Sequence, residues 1–226
     1  MEQSDKIAEH MSAYETVIIM ANLAGKSGAA LAPVVSSICK EQNKNVLSFA
    51  IMPFKFEKNK IFQSGISLKR LKMNSDSTII IDNDAILDSN PDFTAEKCYE
   101  VTNNAIKCLT TSIKSSSLTD DTNIMSTSGN TENIEDSVKD SIKMLYEDAP
   151  PNNIKRSMLY VYGAEKIPVG VINSISNILG GIFDEENSQV DMSTSGNTNV
   201  VLLSAIAGET RFDKYDPLGV ISKDKT

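Results

Sequence analysis

The sequence predicts an α/β fold in which a mostly parallel, three-layer sheet is followed by an α+β unit. Three observations support this. Short apolar, β-branched runs that begin near residues 17, 46 and 78 indicate buried strands. Helical apolar patterns separate these runs, which is the order expected of a parallel sheet. A further strand–helix–strand series begins near Ser157, beyond a polar stretch.

Composition limits the class of protein. The 226 residues are 40% hydrophobic and carry a net charge of −8, which argues against nucleic acid or an anionic membrane as the partner. No apolar run is long enough to span a bilayer, and the polar N-terminus does not resemble a signal peptide, so a cytoplasmic protein is expected. No metal site is expected, because the three cysteines lack zinc-binding spacing and His10 is the only histidine.

The first strand and helix organise the rest of the chain. The strand covers Val17–Ala21 and is expected to be buried on both faces. A turn of small residues ends at Gly28, and an apolar helix with Pro33 in its first turns runs to about Glu41. The free N–H groups of a helix N-terminus after such a turn can bind phosphate. Similar turns also occur in α/β folds that bind nothing there, and Met20 stands where a Walker A loop needs glycine.

The spacing of apolar residues and the polar clusters between them predict the other elements. Apolar spacing predicts helices, polar clusters predict loops, and a run of Ser, Thr, Asn and Asp predicts a linker or mobile loop over 110–137. The repeated peptide M-S-T-S-G-N-T is interpreted as turn chemistry in both copies. In chain order, the predicted elements are helix 4–14, strand 46–52, a helix ending near 73, strand 78–82, helix 93–113, helix 132–145, strand 157–163, helix 169–183 and strand 199–207.

The turn after the first strand resembles a signature of the tubulin superfamily, in its prokaryotic cell-division branch, FtsZ. Here V-I-I-M-A leads into N-L-A-G-K-S-G-A-A-L-A-P-V-V, where the family has V-F-I-T-A and then G-M-G-G-G-T-G-T-G-A-A-P-V-V. The resemblance implies a Rossmann-like GTPase domain over 1–113. The domain would be partial, because the resemblance begins midway through the family pattern. It further implies a polar linker and helix over 114–150, an FtsZ-like α+β domain over 151–210 and a tail over 211–226.

The same resemblance implies a nucleotide-binding site. The family's phosphate turn corresponds to Gly25, Lys26, Ser27 and Gly28, and its ribose loop corresponds to P-F-K-F-E here, with Glu57 and Lys60. Its N-D pair at the base corresponds to Asn83 and Asp84, and its aromatic residue beside guanine corresponds to Phe93. The alternative interpretation of the P-F-K-F-E stretch is an aromatic strand end capped by charges. GTP or GDP is the cofactor that the family would bind.

The chain departs from the family pattern at several of these motifs. Ala24, Lys26, Ala29 and Ala30 replace Gly, Gly, Thr and Gly, and residues 97–99 replace the Asn-Asp pair that reads guanine. The water-activating N-x-D-x-x-D is missing, since only Asp120 and Asp121 lie in a comparable place. No catalytic residue is therefore assigned.

Two hypotheses follow. The first is a degenerate, non-catalytic member that acts through protein–protein interaction; the second is a GTP-binding, GTP-hydrolysing filament protein. The expected partner is a second copy or an FtsZ-like filament, with possible adaptor binding at the C-terminal tail. The family's first three strands have no counterpart, so the Val17–Ala21 strand is expected at a sheet edge.

Overall fold

A computed structural model describes residues 2–113, 122–128, 133–163, 165, 167–183, 186–194 and 198–216, with the side chains of 2–4 left out. These residues form two compact units. The first contains residues 2–81, 122 and 210–216, and the second contains the other described residues between 82 and 209.

The first unit combines three strands with three α-helices and a short 3-10 helix. Its strands lie in the order β1-β2-β3, and β1 runs parallel to β2 with Thr16 opposite Asn45. Helix α2 packs on β1 and on α3, and α1 packs on α2. The elements are α1 (Glu2–Met11), β1 (Thr16–Asn22), α2 (Lys26–Glu41), β2 (Asn45–Met52), α3 (Lys58–Asn74), β3 (Ser77–Asp82) and the 3-10 helix Arg211–Tyr215.

Strand β1 is buried on one face only, so the prediction of burial on both faces is wrong. Val17, Ile19 and Ala21 are buried, whereas Ile18 and Met20 on the opposite face are exposed. A continuous apolar run does not reveal this alternation, because Ile and Met on the exposed face have the same hydrophobic character as the core residues. By contrast, every residue of β3 is buried.

A proline within helix α2 is compensated by a side chain from α3. Pro33 lies in the helix interior, where the missing N–H leaves the carbonyl of residue 29 without its helical donor. The Ser67 hydroxyl donates to that Ala29 carbonyl at 2.7 Å, in a buried environment. Ser67 therefore takes the role of the absent amide and fixes α3 against α2.

The 3-10 helix near the end of the described chain packs on α3. A Cβ at Gly65 of α3 would lie 2.5 Å from the Tyr215 carbonyl carbon, so the two backbones meet where only glycine fits. Lys72 pairs with Asp213 at 3.4 Å. Burial raises the pKa of Asp213, but the hydrogen bond from the Thr210 N–H and the charge of Lys72 outweigh it and hold the pKa below its usual value.

The second unit has its own strands, in the order β4-β7-β5-β6. Strand β5 runs antiparallel to β7 and parallel to β6. Helix α6 packs on β7, and α7 packs on β5 and β6. The elements are α4 (Asn83–Ser89), α5 (Ala95–Ser112), β4 (Thr122–Ser126), α6 (Ile134–Asp148), β5 (Ile154–Tyr162), α7 (Val169–Phe183), β6 (Ser188–Ser193) and β7 (Asn199–Ile206).

These elements confirm the predicted α/β class. The loop predicted over 110–137 is wrong at β4, where Ile124 and Met125 are buried together with the polar residues Asn123 and Ser126. Both copies of the repeated peptide start inside a strand, at Met125 of β4 and Met192 of β6. Of the helices that the structure describes, none combines the length and apolar character needed to cross a bilayer. The proposed domain boundaries remain a prediction.

Candidate nucleotide-binding site

The turn between β1 and α2 is held by hydrogen bonds to its own first residue. Asn22 accepts the Ala24 N–H on its side-chain oxygen at 2.9 Å and the Gly25 N–H on its backbone carbonyl at 3.1 Å. The Leu23 N–H donates to the Ile51 carbonyl at 2.9 Å, and the Leu23 carbonyl accepts from the Ser64 hydroxyl at 2.8 Å. The amides of residues 23–25 are therefore all used within the protein.

The next backbone N–H groups along the chain belong to the first turn of α2. Their surroundings differ from those of residues 23–25. Gly25 is the N-cap of this helix and makes no side-chain cap, and the first turn holds no acidic residue. Lys26 and Ser27 are exposed there. A Cβ at Gly28 would lie 2.2 Å from the Asn22 carbonyl oxygen, so glycine is needed for the helix to approach the strand end. The local dipole and the Lys26 charge favour an anion.

The predicted ribose loop lies between β2 and α3 in the same unit. Glu57 accepts from the Lys60 ammonium at 2.6 Å and from the Phe54 N–H at 3.2 Å, so the two charged candidates pair with each other. Phe54 is buried, and its ring stacks on exposed Phe56 at 5.0 Å. This arrangement fits the alternative interpretation of an aromatic strand end capped by charges.

The start of α3 also lies against the phosphate turn. The Ser64 hydroxyl that donates to the Leu23 carbonyl lies 2.9 Å from the Lys60 carbonyl as well. The structure thus places the Glu57–Lys60 pair one helical turn from a residue that contacts the turn. These first-unit candidates form one cluster.

Two of the candidates in the second unit, Asn83 and Asp84, are buried in its interior. Asp82 caps α4 by accepting the N–H groups of Asp84 and Ala85 at 3.1 and 3.0 Å. Asn83 is fully buried and accepts from the Thr102 hydroxyl of α5 at 2.9 Å. Asp84 is 3% exposed, and Phe93, between α4 and α5, is half-buried. Asn83 and Asp84 are engaged in internal interactions.

Two residues of α5, Lys97 and Cys98, lie where guanine recognition would be expected. Cys98 is fully buried, and burial and the nearby Asp84 carboxylate raise the pKa of its thiol. Lys97 pairs with Glu100 at 2.9 Å on the helix surface. Neither side chain supplies the carboxylate that accepts the hydrogen bonds of a guanine edge.

Sequence reasoning missed Asn22, which the structure places at the centre of the turn. An asparagine followed by small residues is a sequence signal for a side chain that bonds its own backbone two residues on. Asp120, Asp121 and the tail beyond residue 216 lie outside the described residues. Among the described residues, no cluster of His, Cys, Asp and Glu could hold a metal ion.

Comparison with known proteins tests the resemblance stated from the sequence. Residues 1–91 match the model of the Tubulin/FtsZ family, GTPase domain. Over these residues the chain is similar to the tubulin/FtsZ GTPase domain. The chain is 33% identical over 95 residues to cell division protein FtsZ 2 of Halobacterium salinarum, and 36% identical over 87 residues to FtsZ of Aquifex aeolicus. Those matches cover 42% and 38% of this chain and 24% of each relative, so the matched stretch spans about a quarter of their length.

The tubulin/FtsZ likeness extends through the fold beyond residue 91. A structure described as an empty FtsZ dimer of M. jannaschii matches with a TM-score of 0.70 at 19% identity, covering 91% of this chain and 67% of that one. A GTPγS-bound protofilament of CetZ2 from Haloferax volcanii matches with a TM-score of 0.63 at 17% identity, covering all of this chain and 78% of that one. At these identities both likenesses are of fold alone.

Proposed function

We propose that this FtsZ/tubulin-like chain is a cytoskeletal or cell-division-related protein that acts through protein contacts and does not turn over GTP. The supporting observation is the hydrogen bonding of Asn22. Its side-chain oxygen takes the Ala24 amide and its carbonyl takes the Gly25 amide, at 2.9 and 3.1 Å. An amide that already donates within the protein is not available to a nucleotide phosphate.

The second unit supports the same proposal. Guanine recognition needs an exposed acceptor, whereas Asn83 and Asp84 are buried and Cys98 faces the interior. The missing N-x-D-x-x-D also leaves hydrolysis without its water-activating acids. A scaffold of this superfamily without these groups retains surfaces for association, in line with the dimer and the protofilament named among its structural neighbours.

One observation favours the alternative, a GTP-binding and GTP-hydrolysing filament protein. The α2 N-terminus lacks a side-chain cap and an acidic first turn, and Lys26 is exposed beside it. These are the features that bind a phosphate group at a helix N-terminus. They support weak binding of one phosphate group and supply no group that activates water.

Nucleotide titration and phosphate release test the proposal on the full chain. We expect no release of phosphate from GTP above the protein-free rate, at any protein concentration. Release that rises steeply with protein concentration would overturn the proposal, because it would show an active site completed by association.

The Asn22→Gly variant tests the supporting observation. It removes the side-chain acceptor and frees the Ala24 amide, so binding of a fluorescent GTP analogue should become tighter than in the wild type. Asn43→Gly is the matched control, because Asn43 lies in the α2–β2 loop at a φ of 55° that glycine adopts readily. Equal affinities for all three proteins would show that the Asn22 side chain does not obstruct the turn.

A further inference from the structure

Strand β1 presents a free edge among the described strands. It stands at the end of the first unit's order β1-β2-β3. The Asn45 N–H donates to the Glu15 carbonyl, and the Leu23 N–H donates to the Ile51 carbonyl, so odd-numbered residues direct their backbone groups toward β2. Backbone direction alternates along a strand, so Thr16, Ile18 and Met20 direct their N–H and C=O groups away from β2. This edge can accept another strand.

The side chains at this edge do not protect it. Strand β1 contains no charged residue and no proline, the devices that usually prevent strand addition. Ile18 is 45% exposed and Met20 is 54% exposed, and Tyr14 just before the strand is exposed as well. An apolar edge with unpaired backbone groups is a template for pairing with another chain.

We propose that a second copy of this chain pairs with β1 in antiparallel orientation, with Ile19 on the two-fold axis. This register pairs all of Thr16–Asn22, and it sets Ile18 opposite Met20 of the second copy. Both residues direct their backbone groups outward, so each such pair can exchange two hydrogen bonds. The antiparallel direction follows from two-fold symmetry, in which the same patch contacts itself.

The sequence of β1 is complementary to itself in this register. Thr16 faces Asn22 of the second copy, so polar residues meet at both ends, and Ile18 faces Met20, so apolar residues meet in the middle. The buried-face residues Val17 and Ala21 also face each other, so each residue stays on its own face of the extended sheet. This match favours a second copy over an unrelated strand.

Charge gives the association a salt dependence. Each chain carries a net charge of −8, and the pairing strands carry none. Two such chains repel each other, and salt screens that repulsion without weakening backbone hydrogen bonds or apolar contacts. The dimer should therefore become stronger as salt is added, the opposite of an interface held by ion pairs.

Size-exclusion chromatography with light scattering, over a range of protein and salt concentrations, tests the pairing. The wild type should approach twice the mass of 24.6 kDa as its concentration rises. Met20→Lys should stay monomeric, because it places a charge opposite Ile18 of the second copy. Met73→Lys is the matched control: it changes a methionine that is 64% exposed near the end of α3, and it should dimerise like the wild type. Circular dichroism checks that all three proteins fold.

Disulfide trapping tests the register. Cα atoms of a hydrogen-bonded antiparallel pair lie about 5.5 Å apart, within disulfide range, whereas diagonal neighbours lie about 7–8 Å apart. A mixture of Ile18→Cys and Met20→Cys chains should form a cross-linked dimer under copper–phenanthroline, beyond the level shown by the wild type with its own cysteines. Each variant alone should not.

A monomeric wild type at high concentration and high salt would overturn the proposal. So would a Met20→Lys variant that dimerises like the wild type, or equal cross-linking of either cysteine variant alone. The pairing deepens the proposed function by naming one contact surface. It rests on the proposed function in one respect only, which is that association is expected without GTP turnover. Phosphate release tests the function and association tests the pairing, so either can fail alone.

Discussion

Replacing Ser67 with alanine should destabilise the protein by about 1–3 kcal/mol, the usual cost of leaving a buried polar group without its partner. The Ser67 hydroxyl donates to the Ala29 carbonyl at 2.7 Å, and Pro33 has no N–H to replace it. Both Ser67 and Ala29 are buried, so water cannot easily restore the bond.

A double-mutant cycle with Pro33→Ala isolates this effect. Alanine at position 33 supplies the N–H that an α-helix directs at the Ala29 carbonyl. In that background, Ser67→Ala should cost less than about 1 kcal/mol, so the cycle should give a coupling energy of about 1–2 kcal/mol. Denaturant unfolding monitored by circular dichroism gives the four free energies, and each kcal/mol corresponds to roughly 2–4 °C in melting temperature for a chain of this size.

Ser141→Ala is the matched control. Ser141 is also fully buried and donates to the Ser137 carbonyl at 2.8 Å, within α6, where the backbone N–H already satisfies that carbonyl. Its loss should therefore cost less than that of Ser67. The explanation fails if Ser67→Ala costs the same with and without Pro33, because the hydroxyl would then not be replacing the proline amide.

Two further predictions concern a close backbone approach and a paired carboxylate in the first unit, with a glycine of the second unit for comparison. Gly28→Ala should destabilise the protein by about 1–3 kcal/mol, because its Cβ would lie 2.2 Å from the Asn22 carbonyl oxygen. Gly181→Ala should stabilise the protein by about 0.5–1 kcal/mol, because no atom lies within 4 Å of the added Cβ. Unfolding titrations measure both, and a neutral Gly28→Ala would refute the close approach. Asp213 has a lowered pKa in the folded state, so its contribution to stability is complete above the usual carboxyl pKa of about 3.9 and is lost as the pH falls through the lower, folded value. The stability difference between wild type and Asp213→Asn should shrink over that range, and a constant difference would contradict the lowered pKa of Asp213.

The sequence predicts the regular elements well where periodicity is strong. The helix ending at Glu41, the helix over Val169–Phe183 and the strands β2 and β3 lie within a residue or two of the predicted bounds. Each is a long amphipathic pattern or a compact apolar run bounded by polar residues. Strand β4 was missed because three of its five residues are Thr, Asn and Ser, whose burial depends on tertiary contacts.

The local structure of the candidate site was only partly predictable, and its binding of a nucleotide stays a prediction. Residue spacing predicted the strand–turn–helix that contains Gly25–Gly28, and the family resemblance predicted a ribose loop at Glu57. Residue spacing could not show that Asn22 takes two of the turn's amides, because that depends on the path of the backbone. Nor could it show that Asn83 faces Thr102 in the interior, since an exposed and a buried asparagine read alike in a sequence.

The packing of the 3-10 helix Arg211–Tyr215 on α3 affects the order in which the two units can fold during synthesis. Residues 211–215 emerge from the ribosome after every other described element, and the second unit, a nearly continuous stretch between them and residue 81, can fold before they appear. Until then the surface of α3 around Gly65 has no cover. The first unit is therefore begun before the second unit and completed after it, because its α3 surface waits for residues 211–215.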